Sequence, residues 1–240
     1  MKVLIKFIHF TIFLVGLGSA SVLPVEKCKL EDSTCLQKAF QEALPLFCDG
    51  LPDLDIEVLD PMHIDDLAFD VSGLQFSMKD GQLKGLKGAV FEKIKWDLKK
   101  KRIEVDYHLN GAVRGHYTAG GRVLILPITG DGQMKLRLKN VAIQMYIDYK
   151  MDKDAEGKNH VLPTKYDFTF EVKDGAHFNM SNLFNGNKDL SDAMHSFLND
   201  NWKQVSQEFG RPMIDGAAKI LYKNVKIFFK NIPLEDIADV

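Results

Sequence analysis

The middle of the chain, from Leu67 to Val172, is dominated by segments in which apolar and polar residues alternate. A period of two places the apolar side chains on one face of a β-strand. Short connections between such segments favour antiparallel hairpins over parallel crossovers, so the pattern predicts one long, curved meander. The predicted strands are 68–78, 86–98, 103–109, 113–126, 133–139, 141–149 and 166–172.

Two other segments show helical spacing. Residues 33–47 predict a short amphipathic helix, and residues 189–222 carry an apolar stripe that keeps its phase across Pro212. A proline inside a helix removes one hydrogen bond, so a long helix kinked at Pro212 is predicted. An apolar stripe of this length must be buried against another element. The inner face of the predicted sheet is the largest apolar surface that could bury it. The predicted fold is α+β, with a strongly curved antiparallel sheet wrapped around a long C-terminal helix.

Turn residues and prolines predict how these elements are joined. Asp80-Gly81 and Gly130-Asp131-Gly132 are expected to form tight hairpin turns. The stretch 49–66 has no sustained period and predicts an extended connector. No linker of the kind that separates domains interrupts the chain, so residues 21–240 are expected to form a single domain.

The first twenty residues have the organisation of a secretory signal peptide. Lys2 and Lys6 flank an apolar stretch that ends at Leu17, and Gly18-Ser19-Ala20 supplies small residues for cleavage after Ala20. The apolar stretch is shorter than the roughly 20 residues that a membrane-spanning helix needs. We therefore expect residues 1–20 to be removed and the protein to be extracellular, without stable membrane insertion.

Secretion changes the interpretation of the cysteines. An oxidising compartment allows Cys28 and Cys35 to form a disulfide, which would tie the amino-terminal segment to the first helix. Cys48 is then unpaired, and we interpret it as a buried apolar residue rather than a reactive thiol. Three cysteines cannot hold together a chain of 240 residues, so a hydrophobic core must provide the stability.

Composition and charge narrow the classes of partner. Apolar residues make up 45% of the chain, and 31 basic residues against 33 acidic residues give a formal net charge of −2. Such a chain lacks the positive field that attracts polynucleotides, so no nucleic-acid partner is expected. The basic run from Lys99 to Arg102 is interpreted as a charged hairpin tip. A weak contact with anionic lipid is the alternative, favoured if the mouth of a pocket lies beside it.

The sequence lacks the motifs of the common catalytic sites. It contains no G-x-S-x-G, H-E-x-x-H, G-x-x-x-x-G-K-[ST] or G-x-G-x-x-G motif. The histidines are scattered, although His108 or His195 could bond to a polar group of a ligand. Acidic pairs near residues 53 and 65 lack a calcium-binding loop. We therefore expect no enzyme activity, no metal and no cofactor.

Large, soft apolar side chains are concentrated where the sheet should face the helix. A sheet wrapped around one helix about 10 Å wide leaves elongated space at its ends, and such a space suits an apolar ligand. Plain core packing is the alternative for each residue taken singly. The residues predicted to line a hydrophobic tunnel are Phe76, Trp96, Val105, Tyr107, Ile143, Met145, Phe168, Phe170, Met194, Trp202 and Phe209.

Several segments together carry a family resemblance. They are the cysteine pair, Leu59-Asp60-Pro61, Gly73-Leu74, the run Asn182-Leu183-Phe184-Asn185-Gly186 with the helix that follows it, and the closing Ile232-Pro233. With these segments the whole mature chain resembles the insect takeout and juvenile-hormone-binding protein family. The resemblance implies a secreted carrier of TULIP-like architecture with an internal tunnel for an isoprenoid or fatty ligand. It also implies roles in hormone transport, feeding, circadian output or chemosensation.

One departure from the family concerns disulfides. The chain has no cysteine after Cys48, so the second disulfide of the haemolymph hormone carriers cannot form. This difference points to the takeout-like branch of the family.

The predicted function is noncatalytic binding and transport of an extended hydrophobic small molecule. The alternative is an extracellular signalling protein that meets a receptor through its surface, without a bound lipid. An esterase would need an activated serine, and Ser72, Ser77 and Ser196 have no evident base. Asn179-Met180-Ser181 is a glycosylation sequon of a secreted chain.

Overall fold

The elements follow each other as an amino-terminal helix, a series of long strands and a group of carboxy-terminal helices. The structure is a computed structural model that describes residues 25–239, so the predicted signal peptide lies outside the described residues. The strands are β1 (Cys28–Lys29), β2 (Met62–Val71), β3 (Leu74–Lys84), β4 (Val90–Asp97), β5 (Arg102–Val123), β6 (Leu126–Lys153), β7 (Asn159–Met180) and β8 (Ala238–Asp239). The helices are α1 (Ser33–Cys48), α2 (Lys188–Asp200), α3 (Trp202–Asn231) and α4 (Leu234–Ile237).

The long strands form one antiparallel sheet of six strands. Its order is β2-β3-β5-β6-β7, and β4 also pairs with β5. Residues 112–121 of β5 pair with β3, whereas residues 102–108 pair with β4. Ile103, Val105 and Tyr107 all point to the buried face, as the alternating pattern predicts. The expected meander is therefore confirmed, with strands longer than the apolar pattern alone indicates.

A line of bulges crosses the longest strands at mid-length. The register shifts at residues 109–111 of β5 and at residues 139–141 of β6. The backbone N–H of Asn140 donates to Asn110 Oδ1 at 2.8 Å, and Asn140 Nδ2 donates to Asp174 Oδ2 at 2.9 Å. Bulges bend a strand and increase its twist, so this line helps the sheet to curl around the helices.

The carboxy-terminal helix has a break that the apolar stripe does not predict. The expectation of one helix over 189–222 is wrong, because α2 and α3 are separated at Asn201, whereas α3 continues without a break through Pro212 to Asn231. Asn201 uses both its backbone N–H and its side-chain Nδ2 to donate to the carbonyl of Phe197, at 3.0 and 2.8 Å. This cap ends α2 without disturbing the phase of the apolar stripe, so the stripe does not reveal the break.

The two predicted glycine turns lie inside strands, so this prediction is wrong. Gly130 is opposite Ala119 in the β5–β6 pair, and Gly81 is opposite Ile64 in the β2–β3 pair. A Cβ at Gly81 would lie 2.8 Å from the Ile64 carbonyl oxygen, and one at Gly130 would meet the Tyr117 hydroxyl. These glycines are thus required by close packing and not by a change of chain direction.

The predicted connector also differs in part from the structure. Residues 52–54 form a 3-10 turn, and β2 already begins at Met62, within the stretch expected to be irregular. The hairpin between β5 and β6 turns at Leu124 and Ile125, two apolar residues that carry no turn signal.

Both ends of the described chain meet beside α1. β1 pairs in parallel with β8, with Cys28 opposite Ala238. The predicted disulfide between Cys28 and Cys35 is present and joins β1 to the first turn of α1. The Glu235 carboxylate accepts hydrogen bonds from Asn159 N–H at 3.1 Å and from Asn159 Nδ2 at 2.6 Å, which anchors α4 to β7.

Candidate functional site

Three apolar cavities lie in a row between the concave face of the sheet and the helices. The α1 cavity, next to helix α1, has a volume of about 210 Å³. The central cavity and the α2-end cavity, which reaches α2 at Leu198, each measure about 90 Å³. Neighbouring cavities share wall residues, and we call the row of three adjoining cavities the tunnel. The shared residues are Leu86, Tyr107, Met145 and Leu221 on one side of the central cavity and Leu136, Leu138, Met213 and Ile214 on the other.

Most of the residues predicted to line a tunnel lie along these cavities. Trp96 and Val105 line the α1 cavity, and Ile143 lines the central cavity. Tyr107 and Met145 lie in the wall that these two cavities share. The α2-end cavity is lined by Phe76, Phe170 and Phe209.

Phe168, Met194 and Trp202 do not line any of the three cavities. Phe168 lies on the same face of β7 as Phe170, but the Arg211 guanidinium of α3 covers its ring with 4.1 Å between guanidinium carbon and ring centroid. Met194 is buried in α2, and Trp202 is half-buried at the start of α3. The period-two pattern identifies the inner face of a strand, but it does not show which part of that face a helix covers.

Helix α1 provides a wall of the α1 cavity that the sequence interpretation missed. Phe40, Ala43, Leu44 and Phe47 line this cavity. Their helical spacing was apparent in the sequence, but that spacing does not tell which surface the helix covers. The helix begins at a clear signal, since Asp32 Oδ1 accepts hydrogen bonds from the N–H groups of the two residues at positions 34 and 35.

Two glutamines fix α1 to the backbone next to β4. Gln41 Nε2 donates to the Ala89 carbonyl at 3.0 Å, while its Oε1 accepts from Phe91 N–H at 2.9 Å. Gln37 Nε2 donates to the Phe91 carbonyl at 2.7 Å. The side-chain amides thus satisfy backbone groups at this edge of the sheet and hold α1 across the α1 cavity.

The tunnel wall is uncharged along its whole length. Burial raises the pKa of the Cys48 thiol to about 12, and burial also raises the pKa of the Tyr107 phenol. Both groups are therefore neutral at physiological pH. The indole N–H of Trp96 donates to the Tyr149 hydroxyl at 2.9 Å, so it is already paired. Cys48 is buried and free, in line with its interpretation as an apolar residue.

The histidines singled out in the sequence lie outside the tunnel wall. His195 Nε2 accepts a hydrogen bond from Met180 N–H at 2.9 Å, and His108 Nδ1 lies 2.9 Å from Glu92 Oε1 on the exposed face of the sheet. Asn179 of the sequon is exposed on β7. Over residues 25–239, no group of three His, Cys, Asp or Glu side chains is placed to hold a metal ion. Within the same range, no helix has the length and apolar character needed to span a membrane.

The fold and the cavities place the protein in a structural class. In this class a curved antiparallel sheet packs around carboxy-terminal helices, and apolar cavities lie between the sheet and the helices. The chain belongs to the haemolymph juvenile hormone binding protein (JHBP) family, whose model matches residues 9–239. The family consists of binding proteins for hydrophobic small molecules, and the chain shares that general function.

Individual relatives agree with this assignment. The crystal structure of Takeout 1 from Epiphyas postvittana is 62% identical, superposes with a TM-score of 0.88 and covers 90% of this chain and 100% of its own. The circadian clock-controlled protein daywake from Drosophila melanogaster is 27% identical over 225 residues, 89% of this chain and 86% of the relative. The juvenile hormone-binding protein of Manduca sexta is 35% identical over 81 residues, 32% of this chain and 35% of the relative. The resemblance to the takeout and juvenile-hormone-binding family is confirmed.

Proposed function

We propose that the protein is a secreted, noncatalytic carrier that holds an extended hydrophobic small molecule in the tunnel. The ligand would be a juvenile-hormone-like isoprenoid, a fatty acid or a related lipid. The observation that carries the proposal is the row of uncharged cavities between sheet and helices. In this proposal residues 1–20 are the removed signal peptide and residues 21–240 act as one domain. The disulfide and the family membership support secretion.

The energetics of apolar burial support useful affinity. A ligand that buries about 400 Å² of apolar surface gains roughly 10 kcal/mol before the costs of ordering and lost translation are subtracted. Submicromolar binding is therefore within reach with few polar contacts.

The side chains near the tunnel support a noncatalytic role. Ser206 lines the α2-end cavity, and its hydroxyl has no hydrogen-bond partner among the described residues. Ser196 Oγ donates to Asp200 Oδ2 at 3.1 Å, and the hydroxyl of Ser72 donates to Glu208. The serine of a hydrolase is usually activated by a histidine base. Ser72 and Ser196 bond instead to exposed carboxylates, and Ser206 has no partner within residues 25–239.

The names of the relatives suggest the physiological setting. The name of the circadian clock-controlled protein daywake supports a circadian role. The proposal includes circadian, feeding or chemosensory signalling, in which a loaded carrier delivers its ligand to an extracellular receptor. Signalling through the surface without a bound lipid remains the alternative. It is the weaker proposal, because it assigns no role to the cavities.

Extraction of the native protein tests the proposal directly. Protein from its natural source, extracted with organic solvent, is expected to release one lipid per chain that mass spectrometry identifies. Repeated extraction that yields no lipid, together with no binding of a fluorescent fatty probe, would contradict the carrier function.

A substitution in the tunnel wall tests the site. Phe170→Arg places a charged side chain in the α2-end cavity, so the affinity for an apolar fluorescent probe should fall by at least about tenfold because an unpaired charge is costly to bury. Leu190→Arg is the matched control, since Leu190 is exposed on α2 and outside the tunnel. Probe titration and circular dichroism of both variants separate lost binding from lost folding. Equal affinity in the two variants would exclude the α2-end cavity as part of the site.

A further inference from the structure

An open groove of about 540 Å³ lies on the surface at the α1 end of the molecule, outside the tunnel. Its floor is formed by buried side chains, namely Leu30, Tyr149 and Leu234. Leu30 also lines the α1 cavity, so the groove and the tunnel adjoin each other across this side chain.

The β1–β8 pair separates the groove from the α1 cavity. Cys28 and Ala238 line the cavity, whereas Lys29 and Asp239, the next residue of each strand, line the groove. Successive side chains of a strand point to opposite faces, so this short ladder provides one apolar wall and one charged rim. A partner bound in the groove would therefore lie directly beside the α1 end of the tunnel.

Two exposed apolar side chains lie on the rim of the groove. Leu98, in the turn between β4 and β5, is 45% exposed, and Met151 on β6 is 38% exposed. A single exposed leucine is ordinary on a protein surface, but apolar side chains that share the rim of a concave site indicate a contact surface. The groove is thus apolar at its floor and at part of its rim.

The turn that contains Leu98 carries an excess of positive charge. Lys99–Lys101 follow Leu98 and are exposed. Across residues 25–239 none of these three lysines is in an ion pair, whereas the nearby Asp97 is paired with Lys95 at 3.4 Å. The groove itself is balanced, because it is lined by two lysines and two acids, namely Lys29, Lys101, Glu31 and Asp239. The excess therefore comes from Lys99 and Lys100, next to the exposed leucine.

This combination restricts the kind of partner that fits the surface. A sulfated polysaccharide offers negative charge, but it gives no gain to an exposed leucine or methionine. A lipid layer with anionic headgroups offers negative charge to the lysines and an apolar interior to Leu98 and Met151. Both features of the rim are used only in the second case, so the lipid layer is favoured.

We propose that the protein docks peripherally, through the rim of this groove, on a phospholipid layer that carries anionic headgroups. Lys99 and Lys100 face the headgroups, and Leu98 and Met151 enter the layer between them. This orientation brings the α1 end of the tunnel against the lipid, where an apolar ligand would pass without crossing open water. The inference goes beyond the proposed carrier function, because docking does not require a filled tunnel.

Vesicle binding tests the docking surface. The mature chain is mixed with vesicles of phosphatidylcholine alone or with about 30 mol% phosphatidylserine, and bound protein is measured by flotation. Binding to the anionic vesicles should be at least about tenfold stronger, since each basic side chain near an anionic surface contributes a gain of about fivefold. Raising the salt concentration from about 0.05 M to about 0.5 M should remove most of this difference, because the charges are then screened within a few ångströms.

A matched pair of double variants tests the lysines. Lys99→Gln with Lys100→Gln removes the excess charge of the turn, so binding to the anionic vesicles should fall by about 25-fold. The control is Lys135→Gln with Lys139→Gln, which removes the same charge from the exposed face of β6 near its middle. The control should bind within about twofold of the natural chain, because its charges are screened from the docked surface.

A second pair of variants tests the apolar contact and separates lipid from polysaccharide. Leu98→Ala should lower vesicle binding by about 3- to 10-fold, because less apolar surface leaves water on docking. Leu190→Ala is the control, since Leu190 is similarly exposed, at 50%, but belongs to α2. Retention on a heparin column should be the same for Leu98→Ala and the natural chain, because a polysaccharide does not bury the leucine.

The outcomes separate this inference from the carrier proposal. Equal binding to neutral and anionic vesicles, or equal losses in the two double variants, would overturn the docking surface. Heparin binding that depends on Lys99 and Lys100, with vesicle binding unaffected by Leu98→Ala, would assign a polysaccharide and overturn the lipid layer. If an apolar fluorescent probe binds but no vesicle does, the carrier stands and this inference fails; the reverse result leaves docking and removes the carrier. Should a variant not fold by circular dichroism, the vesicle and salt comparisons on the natural chain still decide.

Discussion

At the scale of single residues, Asn224 in α3 shows how a buried polar side chain is accommodated. It is fully buried, and its Oδ1 accepts from Glu57 N–H at 3.2 Å. Its Nδ2 donates to Glu57 Oε1 at 3.0 Å and to the Ile220 carbonyl at 2.9 Å. Both the oxygen and the nitrogen of the amide are therefore hydrogen-bonded, and the side chain joins α3 to the segment that precedes β2.

Removal of this amide should destabilise the protein. Asn224→Ala removes a fully buried amide together with its hydrogen bonds to Glu57 and to the Ile220 carbonyl, so the free energy of unfolding is expected to fall by about 1–3 kcal/mol. The control is Asn231→Ala, which removes a similar bond from Nδ2 to a carbonyl four residues earlier, but at an exposed position. Urea unfolding of the control should agree with the natural chain within about 0.5 kcal/mol. Equal losses in the two variants would show that the contact to Glu57 contributes nothing.

The sequence predicts residues of this kind poorly. The alternating pattern correctly places Val105, Tyr107 and Met145 on the buried face, because their neighbours on the strand decide it. The partner of Asn224 lies 167 positions away in the chain. No local pattern marks such a pair, and the unpaired hydroxyl of Ser206 is hidden for the same reason.

At the scale of secondary-structure elements, the packing of α3 on β7 depends on a glycine. A Cβ at Gly210 would lie 2.7 Å from the ring of Phe170, so the absence of a side chain allows this close approach. Glycine has a low helix propensity, but at position 210 only glycine leaves room for the Phe170 ring in the tunnel wall.

Substitution of this glycine should move the wall. Gly210→Ala forces the Phe170 ring toward the α2-end cavity, and overpacking of this kind is expected to lower the free energy of unfolding by about 1–3 kcal/mol, partly offset by alanine's better helix propensity. Gly216→Ala is the control, since its nearest neighbour is the end of the flexible Leu67 side chain at 3.0 Å. Thermal unfolding and probe binding measure both effects. A Gly210→Ala variant with unchanged stability and affinity would show that the ring moves at no cost.

The elements differ in how well their sequence predicts them. The period of two predicts the strands, but it does not predict their extension through residues 109–111 and 139–141, because bulges interrupt the alternation. Gly81 and Gly130 resemble turn signals in the sequence, whereas close packing is what requires glycine there. The break at Asn201 depends on side-chain bonds to the backbone, which an apolar pattern does not record.

At the scale of the whole molecule, the shape follows from covering a long helical stripe with a curved sheet. The sequence therefore predicted the general architecture and the presence of an enclosed apolar space. It did not predict that α1 closes one end of that space or that the space has three parts, since both depend on contacts between distant elements. Phe168 illustrates the limit, because it is on the correct face but is covered by Arg211.

A ligand that fills this space should stabilise the whole fold. A ligand that binds only the native state adds about 2.7 kcal/mol at a concentration of 100 times its Kd. For a chain of this length the melting temperature should then rise by roughly 5–10 °C. Differential scanning calorimetry of protein depleted of lipid, before and after addition of a fatty methyl ester, measures the shift. An unchanged melting temperature at saturating ester would contradict ligand binding to the native state.

The pairing of β1 with β8 has a practical consequence for anyone who labels the protein. Ala238 belongs to the wall of the α1 cavity. A fluorophore or affinity tag attached to the carboxy-terminal segment would therefore lie next to the α1 end of the tunnel. Ile125 is 83% exposed at the hairpin tip, at the opposite end of β5. A label inserted there would leave the α1 end unobstructed for uptake measurements.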